Sequence, residues 1–380
     1  MGGPDDVACT AAFTWPRVHA FRTARHHLLR PAPRGQLVRV AGAICGIQAQ
    51  VMSAAELALR ARVRGLRRQD VRDALWRDRS LVKTWCMRGA VHLIPSSDLS
   101  MFLGALRQPE ARAVSWIVRD GLSAKGIDEA VRAIERALGD GPLRRRELAN
   151  RVGQEAGAAA RRWVSHSWGG VVKVACARGL VCFGPDEENE VTFVRMEDWL
   201  PGVEGLPVSD AKVRLLRRYL KAYGPAAGPD YTLWTGLTAP GVRETWGAIG
   251  SEIHLVDVGG RRAWILREDL ASLRHSRGSE HVVNLLPSFD ALLLGHKDKG
   301  HLVDAAHYKR VYRKAGWLSP VVLVDGRVFG VWSYHRRGEH LDIALQSFQT
   351  VTRAVREGIE AEAEDLRRFL EVRHVRIGMG

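Results

Sequence analysis

Residues Lys212–Leu266 read KVRLLRRYLKAYGPAAGPDYTLWTGLTAPGVRETWGAIGSEIHLVDVGGRRAWIL, and the order of patterns within them decides the fold. KVRLLRRYLKAYG spaces its apolar residues as an amphipathic helix does, and Gly224 with Pro225 stops it. PDYTLWTGL is a short second segment and APGVRETWGAI a third helix. IHLVDV and RRAWIL then alternate apolar and polar residues about Gly259-Gly260, the pattern of a β-hairpin closed by a glycine turn. Helices followed by a hairpin give a helix-turn-helix with a wing, and the hairpin runs on into REDLASL, an acidic turn and an apolar anchor.

The same order occurs upstream. IDEAVRAIERALG, LRRRELANRVG and AARRWVSHSWGGVVKVACARG read as three helices, LVCFG and VTFVR as strands around the polar turn PDEENE, and RMEDWL as the acidic close. A looser version places DVRDALWRDRS before LVKTWC and AVHLI, with PSSDL behind them. Beyond the third hairpin the pattern changes. HVVNLLPSFDALLLGHKDKGHLVD takes a buried strand into a polar turn, and SPVVLVDGRVFGVWSYHRRGEHLDIAL reads as antiparallel strands turning at Asp325-Gly326 and Arg337-Gly338. TVTRAVREGIEAEAEDLRRFLEV is an amphipathic helix suited to pack across that sheet. The expected architecture is α+β: three tandem winged helix-turn-helix units at 13–125, 126–205 and 206–275, then a β-rich region with a closing helix at 276–380.

Charge narrows the partners. Against 42 acidic residues stand 57 Lys and Arg, a net charge of +15 with a pI near 10.1, which favours a polyanion, nucleic acid first. Basic residues fall where winged helices meet phosphates: Arg144, Arg145 and Arg146 open the second helix of the middle unit, Arg161 and Arg162 its third, and Arg261 and Arg262 stand at a wing tip. The five cysteines form no C-x-x-C pair and should stay reduced. The fourteen histidines lack metal-ligand spacing, so neither a metal nor another cofactor is expected. An acidic opening, MGGPDDVACT, and no apolar run near ~20 residues point away from a membrane and toward a cytoplasmic, monomeric protein.

The stretch GIQAQVMSAAEL, Gly46–Leu57, carries the candidate chemistry. GQLVRVAGAICGI reads as a helix before it, and Ser53 with Glu56 has the capping-box spacing that would start another after it. Gln48 and Gln50 therefore sit in a helix joint. In a regular helix residues two apart diverge, whereas in an extended segment both amides can face one site. Glutamine does not titrate, so the pair cannot be a general acid and base. It can hold a water and set partial negative charge beside a developing cation, which suits a leaving group that is already cationic, such as N7-alkylguanine.

GIQAQ, VKTWCMRGAVHLI, LLPSFDALLLGHKDK and LVDGRVFGVW stand in the order that resembles the AlkZ-like winged-helix DNA glycosylases, over about 17–332. The resemblance implies three winged helices forming a concave DNA-binding surface and a monofunctional glycosylase acting on double-stranded DNA with alkylated bases. By it, Gln48 and Gln50 are the catalytic residues, and the second Gln resembles the branch for bulky adducts and interstrand crosslinks, with resistance to a genotoxic DNA-alkylating natural product as the role. Lys83 stands where that family carries Arg, keeping charge but losing the bidentate fork. Arg88 and His92 are expected near the same pocket, contacting phosphate or supporting the glutamines, with His92 read equally as a satisfied core histidine, and His296, Lys297 and Lys299 at a turn able to touch the DNA backbone. Trp85 is expected in the core. Two rivals remain at this stage: a noncatalytic winged-helix transcription regulator, which would prefer one duplex sequence, and a drug-sequestering protein, which would bind the free alkylating agent and leave DNA adducts untouched.

Overall fold

A computed structural model describes residues 11–379 except Asn189 and Ser279, with the side chains of 107–109 also left aside. It is a mixed helical and β fold in two compact units. The first comprises the N-terminal segment through Val71, Leu216–Trp234 and Trp246 onward; the second comprises Arg72–Leu215 and Thr235–Thr245.

The first unit is built on a five-stranded sheet ordered Val283–Leu286, Val321–Val324, Arg327–Arg337, His340–Ser347 and His374–Met379. Its first three junctions are antiparallel and its last is parallel. The turn at Asp325-Gly326 has the two positive φ angles, 49° and 82°, that a tight hairpin requires. The second turn lies one residue beyond the expected place, because the strand runs through Arg337 and Gly338 takes the positive φ. Helix Arg353–Phe369 buries Val355, Ile359, Ala363, Leu366 and Phe369 at helical spacing. It packs on the strand Val283–Leu286, where a Cβ on Gly358 would come within 2.5 Å of Val283 Cγ2.

In the same unit the hairpin Ile253–Val258 and Arg261–Leu266 has the bounds read from the sequence. Ala12–Phe13 adds a parallel strand to it, and Phe13, Val18 and Phe21 share a core with Val256, Val258, Ile265 and Leu273. The first residues described thus pack on the third hairpin.

In the second unit, strands Leu81–Trp85 and Val91–Pro95 pair in register from Leu81↔Pro95 to Trp85↔Val91. Helix Ala124–Ala137 has Ser123 as its cap and buries Ile127, Ala130, Val131 and Ile134. The hairpin Val181–Glu187 and Glu190–Arg195 carries Leu143–Arg144 on its second strand. The helix expected through AARRWVSHSWGGVVKVACARG is two helices, one ending at Ser165 and the other running Gly170–Ala177. Gly169 and Gly170 at φ 101° and 46° break it, and a Cβ at Gly170 would strike the Trp163 carbonyl. The preceding helix is also interrupted, at Gly157 (φ 85°).

Candidate active site and basic surfaces

The glutamine segment is extended because the helix before it is cut short. Helix Leu37–Ala43 closes in a Schellman pattern: Gly46 N–H donates to Ala41 O at 2.8 Å and Cys45 N–H to Gly42 O at 3.0 Å, with both donor residues at positive φ. Ile47–Gln48 is a two-residue strand rather than the helix continuation expected of GQLVRVAGAICGI. Burial then alternates. Ile47 and Ala49 are buried, Gln48 is half-buried and Gln50 is exposed. Extended chain puts alternate residues on one side, so both glutamines face outward while Ala49 anchors the segment inward.

The expected capping box does not form. Helix Met52–Arg60 starts with Val51 at its N-cap, Ser53 is exposed in the first turn, and Glu56 is buried with its carboxylate 2.8 Å from Arg68 Nε. A buried carboxylate gains more from a guanidinium than from a terminal amide, so the ion pair takes Glu56 from the cap.

Two sets of contacts hold this segment in place within its unit. Below it, Tyr223 donates to Ile44 O at 3.0 Å and Arg218 to Gly42 O at 3.2 Å. Tyr223 belongs to a buried aromatic group with Tyr219, Tyr231 and Trp234, their ring centroids 5.0–6.1 Å apart. Behind it, the far end of helix Met52–Arg60 is tied to the C-terminal sheet region. Arg60 donates to Leu285 O and pairs with Glu362 and Asp365, while Arg62, fully buried, makes a bidentate pair with fully buried Asp290 at 2.8 Å for both bonds. None of these anchors was singled out from the sequence. The available signal was the i,i+4 pair Tyr219/Tyr223 and an aspartate inside the otherwise apolar LLPSFDALLL.

The basic residues separate into surface and interior. Arg261, Arg262 and Lys297 are exposed in the first unit, with Arg261 paired to Asp298. His296 and Lys299 are buried: His296 Nε2 donates to Tyr223 O at 2.9 Å, and the Lys299 ammonium donates to Leu293 O at 2.8 Å over the Tyr312 ring. In the second unit Arg146, Arg161 and Arg162 are exposed, Arg162 donating to Asp120 O at 3.0 Å. Arg144 is neutralised by Glu187 and Glu188 of the neighbouring hairpin. Arg145 lies over Phe193 and donates to Val164 O. Arg88 is half-buried at φ 57°.

Lys83 and His92 lie inside. The Lys83 ammonium sits 4.9 Å above the Phe183 ring, and burial lowers its pKa. His92 Nδ1 donates to Ala90 O at 2.9 Å, and burial, with Arg88 second, holds its pKa at about 3. A neutral imidazole with its donor taken is a core residue. Trp85 is core as well, packed on Phe183 and Phe193. Lys83, His92, His296 and Lys299 are therefore interior residues and not exposed surface cations of the kind expected. The basic tip of the C-terminal hairpin, with His335, Arg336, Arg337 and His340 exposed, escaped the sequence reading.

The four described cysteines are buried and form no disulfide, and Cys9 lies outside the described residues. Among the described residues no group of His, Cys, Asp and Glu could hold a metal ion, and no helix is long and apolar enough to cross a membrane.

A family profile described as DNA glycosylase AlkZ-like matches residues 41–369. A protein of Streptomyces sahachiroi named interstrand DNA cross-link repair glycosylase is 33% identical over 371 residues, covering 93% of this chain and 96% of that one. The solved structure of Streptomyces sahachiroi DNA glycosylase AlkZ superposes with a TM-score of 0.86 at 31% identity, over 97% of this chain and all of the other.

Proposed function

Since the chain belongs to the AlkZ-like DNA glycosylases, we propose that Gln48 and Gln50 are its catalytic pair and that bulky alkylated purines, interstrand crosslinks among them, are its substrates. The observation that carries the assignment is the alternation at 47–50, which turns two amides outward from an extended segment anchored by a buried alanine. The substrate class follows from the named activity of the Streptomyces relative and from the second glutamine.

The chemistry fits a pair without a titratable group. An N7-alkylated guanine carries positive charge and leaves without being protonated. What remains is to place a water below C1′ and to stabilise the oxocarbenium-like sugar as the bond breaks. One amide carbonyl accepts a hydrogen bond from the water, and the other sets its dipole toward the developing cation. The product is an abasic site, because water and not an amine attacks C1′.

In this reading the helix and hairpin sets at 126–205 and 206–275, with a looser one before them, are winged-helix units presenting a concave surface to duplex DNA, and the enzyme works as a cytoplasmic, nucleoid-bound monomer. Exposed Arg146, Arg161, Arg162, Arg261, Arg262 and Lys297 supply sequence-independent phosphate contacts. A bulky adduct remains in an open groove rather than being drawn into a closed pocket, and resistance to a DNA-alkylating natural product is the biological role.

The test is release of N7-alkylguanine from a defined duplex, with a methyl lesion set against a bulky adduct and a crosslink. Gln48→Ala/Gln50→Ala should abolish release while duplex affinity is kept. Undiminished release by the double variant would remove both residues from the mechanism.

A further inference from the structure

The glutamine-bearing unit contains a second concave feature, a cleft of about 450 Å³ between helix Trp15–Arg25, the hairpin 253–266 and the loop that follows Leu294. Its floor is cationic and short of partners. Arg22 is 3% exposed; it donates to Pro225 O at 2.6 Å and reaches His301 Nδ1 at 3.5 Å, but its Nε–H meets nothing. Among the described residues no carboxylate forms an ion pair with it. Because His301 accepts at Nδ1, its proton sits on Nε2, and that buried donor is also unpartnered. Trp15 stacks on His301 with centroids 4.6 Å apart and planes 7° from parallel, which sets the plane of the imidazole.

The two acids on the wall are already engaged. Asp230 accepts from the backbone N–H groups of Lys297 and Ala227, and Asp298 pairs with Arg261 and accepts from Gly300 N–H. At the rim stand exposed Arg261, Arg262 and Lys297. A buried guanidinium with no carboxylate bonded to it, Asp230 acting on it only through space, and a buried N–H without an acceptor are both costly, and the oxygens of an anion entering the cleft would offset both. A planar guanidinium edge beside an imidazole donor matches the several oxygens of a phosphoryl group better than it matches one carbonyl.

We propose that this cleft is an oxyanion site for a phosphoryl group, held by Arg22 and His301 at its floor and by the rim cations, and that its occupant is a backbone phosphate of DNA. Free phosphate or a nucleotide offers the same chemistry. The site also touches the frame of the glutamines: His296, on the cleft wall, bonds the Tyr223 carbonyl, and the Tyr223 hydroxyl holds Ile44. A phosphate bound here therefore bears on the residue that supports the catalytic segment.

The test uses the full chain and inorganic phosphate as probe. Thermal unfolding is compared in sodium phosphate and sodium chloride at equal ionic strength, and affinity for an undamaged duplex is measured across salt. The wild type should be stabilised by phosphate over chloride, His301→Phe should lose that effect, and His301→Gln, which restores an N–H donor, should keep it. His301→Phe should also bind duplex more weakly, with the slope of log affinity against log salt reduced by about one. If the phosphate effect depends on His301 while duplex binding is unchanged, the occupant is free phosphate or a nucleotide and the DNA assignment is overturned. Equal unfolding in the two salts, with unchanged duplex affinity, would overturn the site itself. Should His301→Phe fail to fold, Lys297→Ala at the exposed rim reads the same two arms. The DNA assignment rests on the glycosylase reading, but phosphate binding does not involve base release, so either can fail alone.

Discussion

Asp290→Asn should be among the most destabilising single-atom changes available to this protein. The substitution preserves shape but replaces one carboxylate oxygen of a fully buried bidentate pair with an amide, leaving the Arg62 guanidinium charged, at 0% exposure, with no counter-ion. Breaking such a pair from one side costs about 3–5 kcal/mol, since the orphaned charge keeps its desolvation penalty. With a urea m-value of roughly 2 kcal/mol/M, the unfolding midpoint of the unit that contains both residues should fall by about 2 M. Urea titration followed by circular dichroism measures this. The control is Arg62→Met/Asp290→Leu, which removes both charges and should recover most of the loss. A midpoint shift below roughly 0.3 M for Asp290→Asn would refute the reasoning, for it would mean the guanidinium finds water or another acceptor at little cost.

Acid should act chiefly on the same unit. Burial, the largest cause, holds His19 at about 3 and keeps His26, His296 and His301 low, with Arg22 or Arg62 adding repulsion. The unfolded chain takes up protons near 6.5 and the folded chain does not, so this stability is complete above pH 6.5 and is lost as pH falls toward 3. At pH 5 each such histidine removes about 2 kcal/mol, and urea midpoints between pH 7 and 5 should fall more for this unit than for the other, where His92 is the histidine held low by burial. Tyr223→Phe removes the hydroxyl that holds Ile44 O and should cost about 1 kcal/mol, while lowering the single-turnover rate of base release with duplex affinity unchanged. Lys83→Met keeps the buried stem and removes the charge above Phe183; duplex affinity should stay within twofold, and a salt slope reduced by about one would return Lys83 to the DNA surface.

What was legible in the sequence was local. The hairpin 253–266 could be bounded to the residue, because two alternating runs flank a glycine pair and the turn chemistry leaves no other register. The closing helix and the strands 321–347 were legible for the same reason. Failures came where a tertiary partner outbid a local signal. The Ser53–Glu56 spacing lost to Arg68, and the third helix of the middle unit was broken at glycines whose necessity shows only once Trp163 sits beside them. The last strand, His374–Met379, has every second residue exposed and pairs only at one edge, so it carries little hydrophobic pattern to read. At the site, Gln48 and Gln50 stood out through their spacing and the resemblance. Sequence could not separate exposed from buried cations, since a lysine exposed on a loop and a lysine over a ring are written alike, as Lys297 and Lys299 illustrate.

The alternation at 47–50 also limits how this enzyme can change over generations. Ala49 is 3% exposed between two outward amides, and the segment is fixed upstream by the helix end at Cys45-Gly46 and downstream by the start of the helix at Met52. Inserting or deleting one residue between Gly46 and Gln48 would turn both amides inward and present alanine instead. Lineages can therefore exchange side chains at 48 and 50, but the three-residue frame itself is closed to length variation.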